Sequence, residues 1–163
     1  MTNDKQTSDL AATIRRARPS EADNLSELAL RSKGHWGYDA DFLAACRDDL
    51  TLSPEDIASS AVYVHDGEDV ALGYYRLLLQ DDGVAELDAL FVEPAAMGHG
   101  VGRRLWQHAV VTAAELGCSE LVIQSDPQAE GFYVAMGAQR TCDLESTVTP
   151  GRMLPLMRFR LRS

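Results

Sequence analysis

Three glycines at alternate positions, Gly98, Gly100 and Gly102, form the group whose spacing most directly indicates chemistry. They follow an apolar stretch, LDALFV, and precede apolar residues that recur at helical spacing. N–H groups in the first turn of a helix lack intrahelical partners and carry partial positive charge, and glycine lets a ligand approach them closely. The pattern therefore predicts a site for phosphate or pyrophosphate, although a loop that only turns the chain is the alternative.

Two widespread phosphate-binding motifs do not fit this turn. The dinucleotide-binding pattern G-x-G-x-x-G has Arg103 where its last glycine is required. The P-loop pattern G-x-x-x-x-G-K-[ST] is absent from the sequence. A nucleotide-binding module is therefore disfavoured.

Two carboxylates, Glu86 and Asp88, interrupt the otherwise apolar segment that precedes the glycines. Burying an ionised carboxylate is costly unless it is hydrogen-bonded or functional. Because side chains two residues apart share one face of a strand, we expect Glu86, Asp88, Leu90 and Val92 on the same face. Such a carboxylate can act as a general base, and the alternative is a carboxylate in solvent at a strand end near Gly83.

The elements that position these residues follow from hydrophobic periodicity. The run Val84–Val92 predicts a buried central strand, and a long helix is expected from Gly98 to Leu116 with Gly117 at its C-cap. Glu120–Gln124 predicts a second buried strand, parallel to the first. The other expected elements are a strand at Thr13–Arg18, a helix with Ser20 as N-cap that ends by Gly34, a helix capped by Asp39 or Asp41 that ends near Leu50, a connection at Thr51–Ser60, strands at Ala61–His65 and Val70–Leu79, a short helix at Ala129–Met136, and a hairpin of Ala138–Thr147 with Met153–Arg160.

The chain has 163 residues and a formal net charge of -10, with -11 in the first 100 residues and +1 in the remainder. One domain is expected over residues 12–163, and residues 1–11 are expected to be disordered. The negative charge argues against a nucleic-acid partner, and no apolar stretch approaches the roughly 20 residues of a membrane span. The three cysteines and four histidines lack metal-ligand spacing, so we expect no metal and a reduced, cytoplasmic protein.

The stretch Met97-Gly98-His99-Gly100-Val101-Gly102 resembles the acyl-CoA motif [QR]-x-x-G-x-[GA] of the GNAT N-acetyltransferase superfamily. Met97 stands where that motif usually has Gln or Arg. A second stretch resembles the pattern N-x-x-A-x-x-F-Y-x-x-x-G-[FA] of the same family. Its matching residues are Asp126, Ala129, Phe132, Tyr133, Gly137 and Ala138.

This resemblance implies a single-domain α/β fold with a mixed central sheet of about seven strands, about four flanking helices and a splayed centre for CoA. Backbone amides of the glycine turn would hold the pyrophosphate, and the central strand would pair with the pantetheine arm. The cofactor-binding residues that the resemblance implies are Leu90, Phe91, Val92, Gly98, His99, Gly100, Val101, Gly102, Arg103 and Asp126.

The resemblance also implies acetyl-CoA-dependent transfer of an acetyl group to a primary amine by direct attack, with a small amine or amino-acid-like acceptor favoured. Glu86 stands where histone-acetylating members carry their general base, and Asp88 is the reserve candidate. Tyr133 matches the tyrosine proposed to protonate the departing thiolate. The expected acceptor contacts are His35, Trp36, Tyr38 and Asp88.

A non-catalytic acyl-CoA sensor or protein-interaction domain on the same fold is the alternative, and Met97 is the feature that favours it. The apolar stretch Leu154–Leu161 also predicts an exposed strand at a sheet edge. Because unprotected edges are often paired, a homodimer is a plausible assembly.

Overall fold

A seven-stranded mixed sheet runs through residues 14–161, the part of the chain that this computed structural model describes. The expected α/β class and strand number are confirmed, and five α-helices stand against an expectation of about four. The expected disorder of residues 1–11 and the start of the first strand at Thr13 lie outside the described residues. The strands are β1 (Ile14–Arg16), β2 (Ala61–Asp66), β3 (Ala71–Leu79), β4 (Val84–Val92), β5 (Glu120–Gln124), β6 (Gln139–Glu145) and β7 (Met153–Arg160), and the helices are α1 (Ala22–Gly34), α2 (Ala40–Leu50), α3 (Pro54–Ser59), α4 (Val101–Glu115) and α5 (Glu130–Ala135).

The strands lie in the order β1-β2-β3-β4-β5-β7-β6. Neighbours are antiparallel except β4 and β5, which are parallel as expected and are connected through α4. A parallel pair needs such a crossover, because its two strands start at the same end of the sheet. The glycine turn therefore lies in the connection between β4 and α4, beyond the carboxyl end of the central strand.

The sheet splays open between β4 and β5, as expected. Their ladder contains only the pairs Val84↔Glu120, Ala85↔Leu121 and Glu86↔Val122. Beyond Glu86, β4 continues to Val92 while β5 ends at Gln124. On the side that faces β5, the backbone N–H and C=O groups in the later part of β4 are therefore open to the gap. On its other side, β4 stays paired with β3 as far as Val92.

A β-bulge interrupts β4 at Asp88. Ala89 pairs with Arg76 and Leu87 pairs with Leu77, so Asp88 is the extra residue between two pairs that are consecutive on β3. A bulge adds one residue to one strand and bends it. In this sheet the bulge lies just beyond the end of the β4–β5 ladder, where the two strands separate.

The bulge also changes which side chains share a face. Leu87 packs with the core beneath α4, and beyond the bulge Leu90 and Val92 pack against that same core. The expected common face for Glu86, Asp88, Leu90 and Val92 is therefore wrong. The inserted residue turns Leu90 and Val92 toward α4, whereas Glu86 alternates with Leu87 and faces the opposite side.

Separate apolar cores cover the two faces of the sheet. Because both faces are covered, the central strands consist mainly of apolar residues, as buried strands do. Fully burying one such side chain stabilises the fold by about 1.5–3 kcal/mol. The core beneath α4 includes Tyr75, Leu77, Leu105, Leu121 and Met157, and the core beneath α1 and α3 includes Leu25, Leu28, Ile57, Val62 and Tyr74.

The helix starts agree only partly with the sequence expectations. Asp39 caps α2 as expected, because its Oδ1 accepts a hydrogen bond of 2.8 Å from the N–H of Phe42. Ser20 does not cap α1: it lies within a 3-10 turn at Pro19–Glu21, and α1 begins after it. The carboxylate of Glu21 fixes this turn by accepting hydrogen bonds from Arg15 and from the N–H of Arg18.

The stretch Thr51–Ser60, expected to be a connection, contains the helix α3. Ser53 and Asp56 form a reciprocal capping box, each side chain accepting a hydrogen bond from the other residue's N–H. Pro54 at the first helical position supports the start. The helix has only six residues, too few for a hydrophobic period to be visible in the sequence.

The expectation that Leu154–Leu161 forms an edge strand is wrong. β7 lies between β5 and β6, so both of its sides are paired. The edge strand on this side of the sheet is instead β6, whose residues are all exposed and include Arg140, Asp143 and Glu145. Charged edge strands resist pairing with another chain, so the homodimer remains a prediction without its original argument.

Candidate active site

A cavity of about 660 Å³ opens where β4 and β5 separate. It runs from the glycine turn before α4 to the loop between β6 and β7. Three predicted site residues, His35, Tyr38 and His99, are not part of its wall. The predicted site residues that line it are Trp36, Glu86, Asp88, Leu90, Phe91, Val92, Gly98, Gly100, Val101, Gly102, Arg103, Asp126 and Tyr133.

The glycine turn adopts a backbone that glycine favours. Gly98 and Gly100 have φ angles of +81° and +84°, in the left-handed region where other residues are strained. Gly100 immediately precedes α4, and its carbonyl accepts the first bond of the helix, from the N–H of Arg104 at 3.1 Å. The N–H groups of the intervening residues therefore have no intrahelical acceptor and lie at the cavity wall, where they can bind an anion.

Arg104 is held beside this turn by a histidine that the sequence analysis did not single out. Its Nε donates to Nε2 of buried His65 at 2.9 Å, and its Nη1 donates to the carbonyl of His99 at 3.3 Å. Since Nε2 of His65 accepts, its Nδ1 carries the proton and donates to the carbonyl of Asp66 at 3.0 Å. Burial lowers the pKa of His65, which keeps the ring neutral and able to accept.

The open side of β4 forms the middle of the cavity. Leu90, Phe91 and Val92 line it beyond the last β4–β5 pair. The hydroxyl of buried Ser32, on α1, accepts a hydrogen bond of 3.4 Å from the N–H of Val92. An extended ligand could pair with the remaining backbone groups as an added strand does.

Two carboxylates of β4, those of Glu86 and Asp88, lie near the point where the strands separate. Gln80 Nε2 donates to Glu86 at 3.0 Å, and Arg76 donates to Asp88 at 3.3 Å. Burial, reinforced by the charge of Asp88, raises the pKa of Glu86, and burial raises that of Asp88. A carboxylate with a raised pKa is a better proton acceptor than an ordinary one when it is ionised.

Tyr133 projects from α5 into the opposite wall, with only 6% of its surface exposed. Its ring packs edge-on against Trp106 and Phe132, with centroids 5.8 and 5.2 Å away. Burial raises the pKa of the phenol, so Tyr133 holds its proton at neutral pH. The hydroxyl is therefore available as a proton donor within the cavity.

Asp126 follows β5 and has most of its hydrogen-bonding capacity occupied by protein. Its carboxylate accepts from the Tyr38 hydroxyl at 2.8 Å and from the Gln128 N–H at 2.9 Å, and it lies 3.2 Å from Lys33 Nζ. Burial alone would raise the pKa of Asp126, but the Gln128 hydrogen bond and the charge of Lys33 outweigh it and hold the pKa below its ordinary value. Its predicted cofactor contact remains a prediction.

The aromatic loop after α1 contributes one of its three predicted site residues to the cavity wall. Trp36 is partly exposed and lines the cavity, whereas His35 packs edge-on against Trp36 away from the wall. Tyr38 lies behind the wall, between Asp126 and the Nη2 of Arg152, which donates to its hydroxyl at 2.6 Å. Tyr38 therefore positions other side chains rather than lining the cavity itself.

Lys33 and Arg152 are cavity residues that the sequence analysis missed. Lys33 lies near the end of α1 and Arg152 directly precedes β7, so 119 positions separate them in the chain. Neither belongs to a motif with a fixed spacing. Only the folded sheet brings them to one carboxylate, Asp126.

Residues 14–161 offer neither a candidate metal site nor a membrane-spanning helix. Within these residues, no group of three or more His, Cys, Asp or Glu is placed to hold a metal ion. No helix of this described part is long and apolar enough to cross a membrane.

Comparison with known proteins decides the family. Residues 23–138 match the model of the acetyltransferase (GNAT) family. The chain belongs to this family. The matched span contains β4, the glycine turn, α4 and Tyr133, so the two motifs that suggested the resemblance lie within it. The prediction of a GNAT acyltransferase is therefore confirmed at the level of the family.

Two relatives share about a third of their residues with this chain. An aminoglycoside N(6')-acetyltransferase type 1 from Stenotrophomonas maltophilia is 34% identical over 146 residues, which cover 84% of this chain and 88% of that protein. The peptidyl-lysine N-acetyltransferase YjaB from Escherichia coli strain K12 is 35% identical over 138 residues, which cover 81% of this chain and 85% of that protein. These relatives have different acceptors, so relatedness alone does not assign the acceptor of this chain.

Solved structures of the family share the fold. The PaiA N-acetyltransferase from Thermoplasma acidophilum, solved in complex with coenzyme A, superposes with a TM-score of 0.75 at 19% identity, covering 90% of this chain and 97% of that one. YncA from Salmonella typhimurium, solved with its cofactor acetyl-CoA, has a TM-score of 0.66 at 21% identity, covering 93% and 94%. At these identities the similarity establishes the architecture alone.

Proposed function

We propose that this GNAT protein transfers an acetyl group from acetyl-CoA directly to the primary amine of a small acceptor. The observation that carries the proposal is the continuity of one cavity. The glycine turn, the open edge of β4, the carboxylate of Glu86 and the side chain of Tyr133 all line this one cavity. Binding of an acyl-CoA and proton transfer to and from a reacting amine need these features within reach of one another.

Three features support acetyl-CoA as the donor. The turn at Gly98–Arg103 offers N–H groups to a pyrophosphate, with Arg103 on the same wall. The open edge at Leu90–Val92 suits an extended, amide-containing arm such as pantetheine. The PaiA and YncA proteins, which share this fold, were solved with coenzyme A and acetyl-CoA.

Glu86 is the proposed base. An ammonium has no lone pair, so it must lose a proton before its nitrogen can attack the thioester carbonyl carbon. Glu86 lies at the end of the β4–β5 ladder and lines the cavity, where it can take this proton directly or through a water. Asp88 is the less suitable candidate because Arg76 lies 3.3 Å from its carboxylate and also approaches Asp56.

Tyr133 is the proposed acid. When the new C–N bond forms and the C–S bond breaks, the sulfur takes the electron pair and needs a proton. Burial raises the pKa of Tyr133, which weakens it as an acid. The same exclusion of water also raises the pKa of the CoA thiol. The two pKa values therefore rise together, and the phenol can still protonate the thiolate.

The acidic groups of the cavity favour a cationic amine. Asp49 joins Glu86 and Asp88 in the wall, and together they can attract an ammonium before it is deprotonated. The two relatives are named as acetylating an aminoglycoside and a peptidyl-lysine. Both names are consistent with an amine acceptor, and a small amine or amino-acid-like compound is the acceptor we propose.

Thiol release tests this proposal. The protein is incubated with acetyl-CoA and a panel of amines, with free thiol followed over time and acetylated product confirmed by mass spectrometry. We expect thiol release that requires both an amine and the protein. Saturable acetyl-CoA binding without turnover on any amine would contradict the proposal and favour the acyl-CoA sensor, for which Met97 is the supporting feature.

A further inference from the structure

A cluster of charged side chains from three distant parts of the chain forms one corner of the cavity. Lys33 Nζ lies 3.2 Å from Asp126 Oδ2, and Arg152 Nη2 lies 3.5 Å from the same oxygen. The hydroxyl of Tyr38 bridges them, because it donates to Asp126 and accepts from Arg152 at 2.6 Å. We call Lys33, Asp126 and Arg152, together with Tyr38 behind them, the cationic corner.

The charges of this corner do not balance. Two cations share a single carboxylate, and Tyr38 is neutral because its pKa is raised by burial and by its hydrogen bond to Asp126. The side chains of Lys33, Asp126 and Arg152 are only 16%, 13% and 20% exposed, so solvent screens them weakly. A mostly buried charge is stable only when it is paired, which leaves this corner one negative charge short.

Arg152 still has donors to offer. Among residues 14–161, its recorded hydrogen bonds all use Nη2, so Nε and Nη1 are not engaged by the described protein groups. The carbon of its guanidinium lies over the rings of Phe42 and Tyr38, 4.8 and 5.2 Å from their centroids, and these contacts limit the positions that the group can take. A planar guanidinium held in this way is suited to bidentate binding of a carboxylate.

The remaining wall has the opposite charge. Glu86 and Asp88 line the cavity from β4, and within residues 14–161 neither lies within ion-pair distance of Lys33 or Arg152. A ligand with one ammonium and one carboxylate would therefore meet complementary charges at both ends. A ligand with several ammonium groups and no anion would place a positive charge against Lys33 and Arg152.

We propose that the acceptor carries a carboxylate that binds Lys33 and Arg152, so that the substrates are amino acids or similar amino carboxylates. This inference rests on the proposed transfer to an amine and names its acceptor class. Lys33 and Arg152 are specificity-determining residues in this account, and Tyr38 and Phe42 position Arg152. The reacting amine is directed toward Glu86, and the carboxylate is directed away from it.

The test compares matched acceptors that differ only in the carboxylate. Free amino acids are compared with the corresponding amino acid amides, and kcat/KM is measured for each pair at saturating acetyl-CoA. Because a charge-assisted contact is worth more than a neutral one, we expect the acid to exceed its amide by about 10- to 100-fold. Kanamycin, an aminoglycoside with ammonium groups and no carboxylate, is expected to be a poor acceptor.

Variants then assign the preference to the corner. Arg152→Gln should raise KM for the amino acid about 10- to 100-fold and should change KM for the amide and for acetyl-CoA far less. Arg152→Lys should retain part of the preference for the acid over the amide, because it keeps the positive charge but loses the paired N–H donors of the guanidinium. Arg158→Gln is the matched control, since Arg158 is an exposed arginine on β7 that pairs with Glu120. Lys33→Met provides a second variant if Arg152→Gln lowers the melting temperature.

A binding measurement separates this inference from the proposed function. Calorimetry of the CoA-saturated protein with each acid and amide reports acceptor affinity without turnover. Tighter binding of the acid, lost in Arg152→Gln, supports the inference whether or not transfer is observed. Equal binding of acid and amide, or a loss of acetyl-CoA affinity in Arg152→Gln, would overturn it, the latter by placing a CoA phosphate in the corner. Transfer to amines without any preference for the acid would overturn it while leaving the proposed function intact.

Discussion

At the scale of single residues, the proposed roles of Glu86 and Tyr133 are opposite: Glu86 accepts a proton and Tyr133 donates one. Both line one cavity, and burial raises the pKa of each. For Glu86 the raised pKa strengthens a base, and for Tyr133 it preserves a proton to donate. The two roles are therefore separable by single substitutions that remove one titrating group at a time.

Glu86→Gln should lower kcat/KM for the amine by about 100-fold, because the variant cannot accept a proton. In the wild-type protein the rate should fall as the pH drops through the raised pKa of Glu86, at a higher pH than for an ordinary glutamate. That acidic limb should be absent from the variant. A pH profile of thiol release measures both effects, and Glu115→Gln, on the exposed surface of α4, is the control.

The stability of Glu86→Gln separates catalysis from folding. A carboxyl group whose pKa is raised by folding favours the folded state in its protonated form, so its ionised form opposes folding at neutral pH. Replacing it with a neutral amide should leave the melting temperature unchanged or raise it. An inactive variant that also unfolds at a lower temperature would mean that Glu86 is structural.

Tyr133→Phe should lower kcat by about 100-fold and leave the affinity for acetyl-CoA largely intact, because the ring remains packed against Trp106 and Phe132. Pre-steady-state thiol release and calorimetry measure the two quantities. Full activity in this variant would remove Tyr133 from the mechanism.

At the scale of elements, the glycine turn before α4 is the proposed phosphate-binding part of the fold. Gly100→Glu should reduce acetyl-CoA affinity more than 100-fold, because it places a carboxylate where the pyrophosphate is proposed to lie. Its Cβ would also meet Arg104 Nη1 at 3.1 Å. The measurement is a titration of the purified variant with acetyl-CoA.

Gly117→Glu is the matched control at the other end of the same helix. Gly117 has a φ of +86°, close to the +84° of Gly100, and a Cβ there would meet no heavy atom within 4 Å. The two variants should therefore share the strain of a left-handed backbone, but only Gly100→Glu should lose acetyl-CoA. Equal affinities in the two proteins would contradict the proposed phosphate site.

Most elements could be predicted from the sequence because long periodic stretches define them. β4 and β5 have the predicted bounds, and Gly117 ends the helix through a left-handed turn as expected. The bulge at Asp88 could not be predicted, because it depends on pairing with β3 rather than on the residues of β4. The edge role assigned to Leu154–Leu161 was wrong for a related reason, since an apolar strand does not specify its neighbours.

The candidate site divides in the same way. Residues within local motifs, such as Gly98, Gly100 and Tyr133, could be named from the sequence, and all three line the cavity. Lys33 and Arg152 could not, because no local pattern relates two cations that lie 119 positions apart in the chain. Their proposed function depends on a shared contact with Asp126, which only the folded chain shows.

At the scale of the whole molecule, Asp126 joins parts of the chain that the sheet alone does not connect. It links the end of α1 and the loop after it to the residue that precedes β7. Removing its charge would leave Lys33 and Arg152 facing each other without compensation. The cationic corner is thus both a proposed recognition site and a connection across the open end of the sheet.

Asp126→Asn should lower the free energy of unfolding by roughly 2–3 kcal/mol at neutral pH, less than a fully buried ion pair would because the side chains keep some exposure. The pKa of Asp126 is held below its ordinary value, so its stabilisation is present above that value and is lost as the pH falls through the lowered pKa. The difference in the free energy of unfolding between wild type and variant should therefore disappear only below about pH 4. Denaturant melts over this pH range measure it, with Asp143→Asn on exposed β6 as the control. A gap that persists in acid would show that the charge of Asp126 is not its cause.

The most direct test of the account is a calorimetric titration of the wild-type protein with acetyl-CoA in the absence of any acceptor. We expect saturable one-site binding in the micromolar range, retained in Gly117→Glu and lost in Gly100→Glu. The absence of saturable binding to the wild-type protein would contradict the account, because it would mean that the cavity between β4 and β5 does not hold the donor on which every later step depends.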